Sequence, residues 1–177
     1  MFAITENHVS TIQRASRWLL GLFIFLALIL AWGTVNRIVH PFPPGTRTLA
    51  GVVFEGAEIT GKIQVLWLLQ ILLGAALNLK IFYHLSRLMM AFSKGLLFTA
   101  QNVSQIRQIA LTSIASLAVW LVVLIGAAPE IAAAQDQWVK IMGTFPGGML
   151  MTAIVFLFAT RLMSEGRQLR EEQDLVI

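Results

Sequence analysis

The chain has 177 residues, of which 57% are hydrophobic and 12% charged, and it carries a formal net charge of +4. Soluble domains run nearer about 45–50% apolar and about 25% charged, so a soluble fold of this size could not hide so much apolar surface. With no cysteine in the chain, disulfides, thiol redox chemistry and Cys-ligated zinc or iron–sulfur sites are excluded.

Four stretches hold no charged residue: Trp18 to Asn36, Ile63 to Leu79, Gln108 to Pro129 and Ile141 to Thr160. A bilayer core of about 30 Å needs about 20 mostly apolar residues in a helix. The expected fold is therefore all-α: an integral membrane four-helix bundle, antiparallel up-down, in one domain covering residues 1–177. The polar N-terminus and the length of the first span argue against a cleaved signal, and the span is read as retained. Helix one should start within Ser10–Ser16 and end near Asn36. The run His40-Pro-Phe-Pro-Pro-Gly45 cannot be helical, because proline removes donors and fixes φ. It opens an outer connection, 37–62, that carries Glu55 and Glu58 and is long for a mere link.

Helix two should outrun the membrane, since Ile81, Phe82, Leu85, Leu88, Met89 and Phe92 continue at helical spacing. Lys94-Gly95 is its stop: a cation in the last turn, then a glycine free to turn left-handed. Thr99 suits the N-cap of helix three, with Asn102 at the third helical position and Phe98 and Val103 placed for a hydrophobic staple. Pro129 should end that helix. Gly143-Thr-Phe-Pro-Gly-Gly148 opens helix four, with Thr144 as cap and Pro146 inside the first turn. Helix four continues past the membrane with Leu162, Glu165, Leu169 and Glu172 on one stripe and Arg167–Glu171 as an i,i+4 pair.

Charges set the expected orientation. Arg14, Arg17, Lys80, Arg87, Lys94, Arg107, Arg161, Arg167 and Arg170 fall on one side, and Arg37, Arg47, Lys62 and Lys140 on the other. Lys and Arg collect on the cytoplasmic side, so both termini are expected in the cytoplasm. Trp18, Trp32, Trp67 and Trp138 fall near span ends, where indole rings favour the interface.

Two segments resemble a known family: Gly95-Leu-Leu-Phe-Thr-Ala-Gln-Asn-Val-Ser-Gln-Ile-Arg-Gln-Ile109 and Glu165-Gly-Arg-Gln-Leu-Arg-Glu-Glu-Gln-Asp-Leu-Val-Ile177. With four spans they resemble the bacterial membrane family catalogued as domain of unknown function 2975. Gln101 stands where that family often has an acid, and Val176 where it often has Thr. The resemblance implies fold and topology rather than an activity. It also implies a small helix-turn-helix regulator as a partner, because members are often encoded beside one.

The search for chemistry leaves little. His8, His40 and His84 do not share a depth, as paired haem ligands would. The H-E-x-x-H and G-x-S-x-G spacings are absent, and no carboxylate lies inside a span. No cofactor, metal site or nucleic-acid contact is expected. Polar residues inside spans, Gln64, Gln70, Asn78, Thr112, Ser113, Ser116 and Thr152, are expected to bond between helices. The leading expectation is a non-enzymatic inner-membrane protein that binds a partner through a cytoplasmic cap of residues 94–107 and 165–177. Its contact residues would be Thr99, Asn102, Arg107, Glu165, Arg167, Glu171, Glu172 and Asp174. In that cap, acids of the tail would pair with Lys94, Arg87 or Arg107. The expected partners are membrane lipids, a cytoplasmic regulator and further copies of the chain. One alternative is an oligomeric channel or transporter subunit. The other is an immunity or envelope-protection protein that recognises a peptide or lipid.

Overall fold

A computed structural model describes residues 6–40, 46–50, 52–55, 59–96, 99–133 and 146–174. They form α1 (Glu6–Val39), β1 (Thr46–Leu49), β2 (Val52–Glu55), α2 (Gly61–Ser93), α3 (Ala100–Ala133) and α4 (Gly147–Asp174). The four helices are long and apolar enough to cross a membrane, over Thr11–Val39, Gly61–Ser93, Ala100–Ala132 and Gly147–Leu169. Lipid offers no hydrogen-bond partner, so a spanning segment must satisfy its backbone internally, as a helix does. Leu28, Leu72, Val122, Ile125, Val155 and Phe158 point outward and are exposed, which suits hydrocarbon as the solvent. The chain is a multi-pass membrane protein.

The helix ends follow local chemistry. α1 begins at Glu6, earlier than the expected Ser10–Ser16. An acidic residue there suits the positive end of the helix dipole. At the other end of α1, the His40 amide donates to the Asn36 carbonyl at 2.7 Å. Thr60 caps α2 by accepting from the Ile63 amide at 3.3 Å. α2 stops as expected at Lys94 and Gly95: Gly95 has φ 75°, its amide donates to Phe92 O at 3.0 Å, and Leu96 N donates to Ala91 O at 3.1 Å. These are the two bonds of a Schellman stop. Thr99 caps α3 as expected, accepting from Asn102 N at 3.2 Å.

Pro129 does not end α3, which runs on to Ala133 with the proline inside it. The ring removes one hydrogen bond within the last two turns, and membrane helices tolerate that loss. Pro146 lies just before α4 rather than within its first turn, and its carbonyl accepts from Met149 N at 2.9 Å. Phe98, Thr144, Trp138, Glu58 and the Leu175–Ile177 end lie outside the described residues.

α1 packs on α2, α2 on α3, and α3 on α4. Phe23 of α1 meets Phe82 of α2 at a ring separation of 6.4 Å. Lys62 meets Glu130 at one end of the α2–α3 pair, and His84 meets Gln105 toward the other. The last two contacts make α2 and α3 antiparallel neighbours. α1 runs antiparallel to α2, since Phe23 meets Phe82 while Thr34, later in α1, shares a cleft with Gly74, earlier in α2. α1 and α4 have no comparable contact. Among the described residues the helices thus form a bundle left open between α1 and α4.

The outer connection holds a feature that the helical reading did not foresee, an antiparallel hairpin. Thr46 pairs with Glu55 and Leu49 with Val52, which leaves two residues for the turn. Ala50, the first of them, has φ 46°, a region that costs any residue with a Cβ. Leu49, Val52 and Phe54 turn inward onto Ile63 and Trp67 of α2 and Val123, Ala127 and Ile131 of α3. Thr48 and Val53 face outward. The hydrophobic core therefore sits at the hairpin end of the molecule.

Candidate functional site

Two places have the geometry of a site: the α2–α3 turn and a cleft beside the hairpin tip, between the four helices.

The turn is locked by residues that were expected to contact a partner. Thr99 spends its hydroxyl oxygen on the α3 cap. Asn102, 1% exposed, donates from Nδ2 to the Leu96 carbonyl at 2.5 Å. Both residues shape the turn. The charged groups that the turn offers outward are Lys94 and Arg107, which are exposed. A cross-helix bond between His84 Nδ1 and Gln105 Oε1, at 2.5 Å, ties α2 to α3 behind them. Arg87 is taken up by Tyr83 on its own helix, with 3.1 Å to the hydroxyl and 5.8 Å to the ring centroid.

The expected pairing of tail acids with the turn is not what Glu165 does. It pairs with Arg161 of its own helix at 3.1 Å, an exposed i,i+4 pair. One helical turn separates these residues, so the near cation captures the acid before a more distant one can. Arg167 is half-buried and already engaged, and Glu172 is exposed. The side chains of Glu171 and Asp174 lie outside the described residues. Among the described residues no ion pair joins α4 to the turn.

Interhelical bonding of the polar residues inside the spans is also corrected. Thr112, Ser113, Ser116, Thr152 and Asn78 each donate to a carbonyl four residues back on their own helix, at 2.7–3.0 Å. Hydroxyls and amides on a membrane helix find that acceptor nearest. Gln70 is different: its Oε1 accepts from the Ala50 amide at 3.0 Å. Gln70 stands nine residues into α2, about 14 Å along its axis at 1.5 Å per residue. The hairpin tip therefore reaches down beside the apolar stretch of α2. Irregular backbone is tolerated at such depth only when buried in protein with its polar groups matched.

Gln70 also lines the cleft, which has a volume of about 260 Å³ and draws on all four helices. α1 supplies Leu30, Thr34 and Arg37; α2 supplies Gln70, Gly74 and Asn78. α3 adds Ser116 and Trp120, and α4 adds Met149. Arg37 is the one charged lining residue, two residues from the end of α1, and it has no acidic partner among the described residues. On sequence alone Arg37 reads as a flanking charge, Gln70, Asn78 and Ser116 as hydrogen-bonding residues between helices, and Gly74 as a close-packing residue. No sequence pattern marks these residues as a set, because Thr34, Gln70, Asn78 and Ser116 fall at different depths of their charge-free stretches.

A family model described as "Protein of unknown function (DUF2975)" matches residues 14–177, which takes in α1 from Arg14 onward and the chain after it, the turn and the tail included. The chain belongs to this DUF2975 family. Comparison with curated proteins and with solved structures finds no match. The DUF2975 description names no activity, so a functional reading of this DUF2975 member rests on the geometry of its turn and its cleft.

Proposed function

We propose that the protein is a non-enzymatic inner-membrane platform that binds a cytoplasmic regulatory protein through the α2–α3 turn and the charged end of α4. Both termini and the turn then lie in the cytoplasm, as the distribution of Lys and Arg favours. The observation that carries this reading is the turn itself. It is fixed by the Gly95 stop, the Thr99 cap and the buried Asn102, while Lys94 and Arg107 stay exposed. A pre-shaped surface loses little entropy when a partner docks on it.

The test is a pull-down of the full chain in mild detergent, against a chain truncated before Glu165. A soluble partner retained by the first and lost by the second supports the platform; no partner in either sinks it. Orientation is checked separately, and cleanly, because the chain has no native cysteine. Single cysteines at Ser104, exposed near the turn, and at Thr48, exposed on the hairpin, should label from opposite sides of the membrane.

A channel or transporter subunit is the less favoured reading. The cleft lining stops at Asn78 and Ser116, near the middles of α2 and α3, whereas conduction needs a path from end to end.

A further inference from the structure

We propose that the cleft is a lipid site: it takes the anionic headgroup of a membrane phospholipid and lets the acyl chains leave between α1 and α4 into the bilayer. This reading is independent of the turn and of any partner there.

The first ground is the chemistry of the lining. The cleft sets a few polar side chains in a largely apolar lining, and in hydrocarbon such polar groups need a polar partner. Gln70 has committed its oxygen to Ala50, so its amino group is the end left for the cleft. Asn78 donates one N–H to the Gly74 carbonyl at 2.8 Å, and its side chain carries a second N–H and an oxygen. Thr34 and Ser116 donate their hydroxyl hydrogens to Leu30 and Thr112 carbonyls at 2.8 and 3.0 Å, which leaves their oxygens as acceptors. The Arg37 guanidinium with the Gln70 amide is a donor set that suits a phosphate; Asn78, eight residues on and about 12 Å farther along α2, lies at the deeper end of the cleft. A cationic ligand would meet Arg37 with no lining carboxylate to offset it.

The second ground is shape. At about 260 Å³ the cleft falls below the range of about 300–1,000 Å³ for sites that enclose a whole drug-sized ligand. It suits a headgroup. α1 and α4 face each other across it through Leu30 and Met149, yet they do not pack as successive helices do. On the outer surfaces nearby, Leu28, Ile29, Met151 and Ile154 are exposed and offer acyl chains an apolar track. Arg37, near the end of α1, stands where a long cationic side chain reaches headgroup level.

The test uses the full chain in nanodiscs of phosphatidylcholine with a minor share of phosphatidylglycerol. The lipid retained after extraction into neutral detergent is counted by native mass spectrometry. The expected result is retention of phosphatidylglycerol over phosphatidylcholine, with Arg37→Gln reducing that preference by about tenfold, the loss of one charge-assisted contact. Gly74→Leu should abolish retention with Arg37 still in place. A Cβ at Gly74 meets nothing within 4 Å, so the added side chain fills the cleft rather than disturbing the packing, and its thermal unfolding should match the parent. Equal retention of the two lipids overturns the proposal, as does full retention by either variant. Displacement of the lipid by free inorganic phosphate at similar concentration would also overturn it, because the site would then serve a soluble anion.

Discussion

Gln70→Leu isolates the bond that holds the hairpin against α2. Leucine is close to glutamine in volume, so the substitution opens no large cavity. It removes the oxygen that accepts from Ala50 N at 3.0 Å, at a residue that is 0% exposed. Removing the partner of a buried donor costs about 1–3 kcal/mol. That loss falls on the hairpin rather than on the helices, because the bond joins the hairpin tip to α2 alone. At about 1.4 kcal/mol per tenfold, amide hydrogen exchange at Ala50 and Val52 should rise by about fivefold to somewhat over a hundredfold. Exchange in the middle of α2 should not change. Gln64→Leu is the control, since Gln64 lies on an exposed part of the same helix and should leave hairpin exchange as it was. Unchanged exchange in Gln70→Leu, measured by mass spectrometry in detergent, would refute the claim that this bond anchors the tip.

Three further outcomes are expected. Thr99→Ala removes the α3 cap and should cost about 1 kcal/mol, or about 2–4 °C in thermal unfolding, while Thr99→Ser should retain most of it. A Cβ at Gly126 would lie 3.2 Å from Leu66 Cδ2. Gly126→Ala should therefore be nearly neutral as the leucine tip yields, whereas Gly126→Ile should overpack the α2–α3 contact by about 1–3 kcal/mol, read by the same melts. The Lys62–Glu130 pair, at 3.0 Å and partly exposed, should show a coupling of about 0.2–1 kcal/mol in a double-mutant cycle with Lys62→Met and Glu130→Gln. That coupling should shrink as salt is raised.

Much of the fold is legible in the sequence because lipid imposes a severe rule: a span must be long, apolar and helical. The stops are legible for a similar reason. Lys94-Gly95 and Thr99 act through bonds to residues a few positions away, so their meaning does not depend on tertiary context. The hairpin is harder to read. Its strands are four residues each, and its turn uses Ala50 at positive φ in place of the expected glycine or asparagine. What stabilises that conformation is contact with α2 and α3, which no local pattern reports. Pro129 fails as a stop because the bond it removes lies near the helix end, where few bonds are left to break. The cleft is the least legible feature. Arg37, Gln70 and Ser116 are far apart in sequence, and their shared cavity follows from the open packing of α1 against α4.

The depth of the hairpin constrains how the protein is made. Its inner face rests on α2, which follows it in the chain, and on α3, which follows α2. When the strands leave the ribosome, neither wall of their binding site has been synthesised. Their packing follows the synthesis of α2 and α3 and the meeting of those two helices. Only then can Leu49, Val52 and Phe54 be withdrawn from water. Biogenesis thus has an obligatory late step, and a chain interrupted before α3 would carry its hairpin exposed.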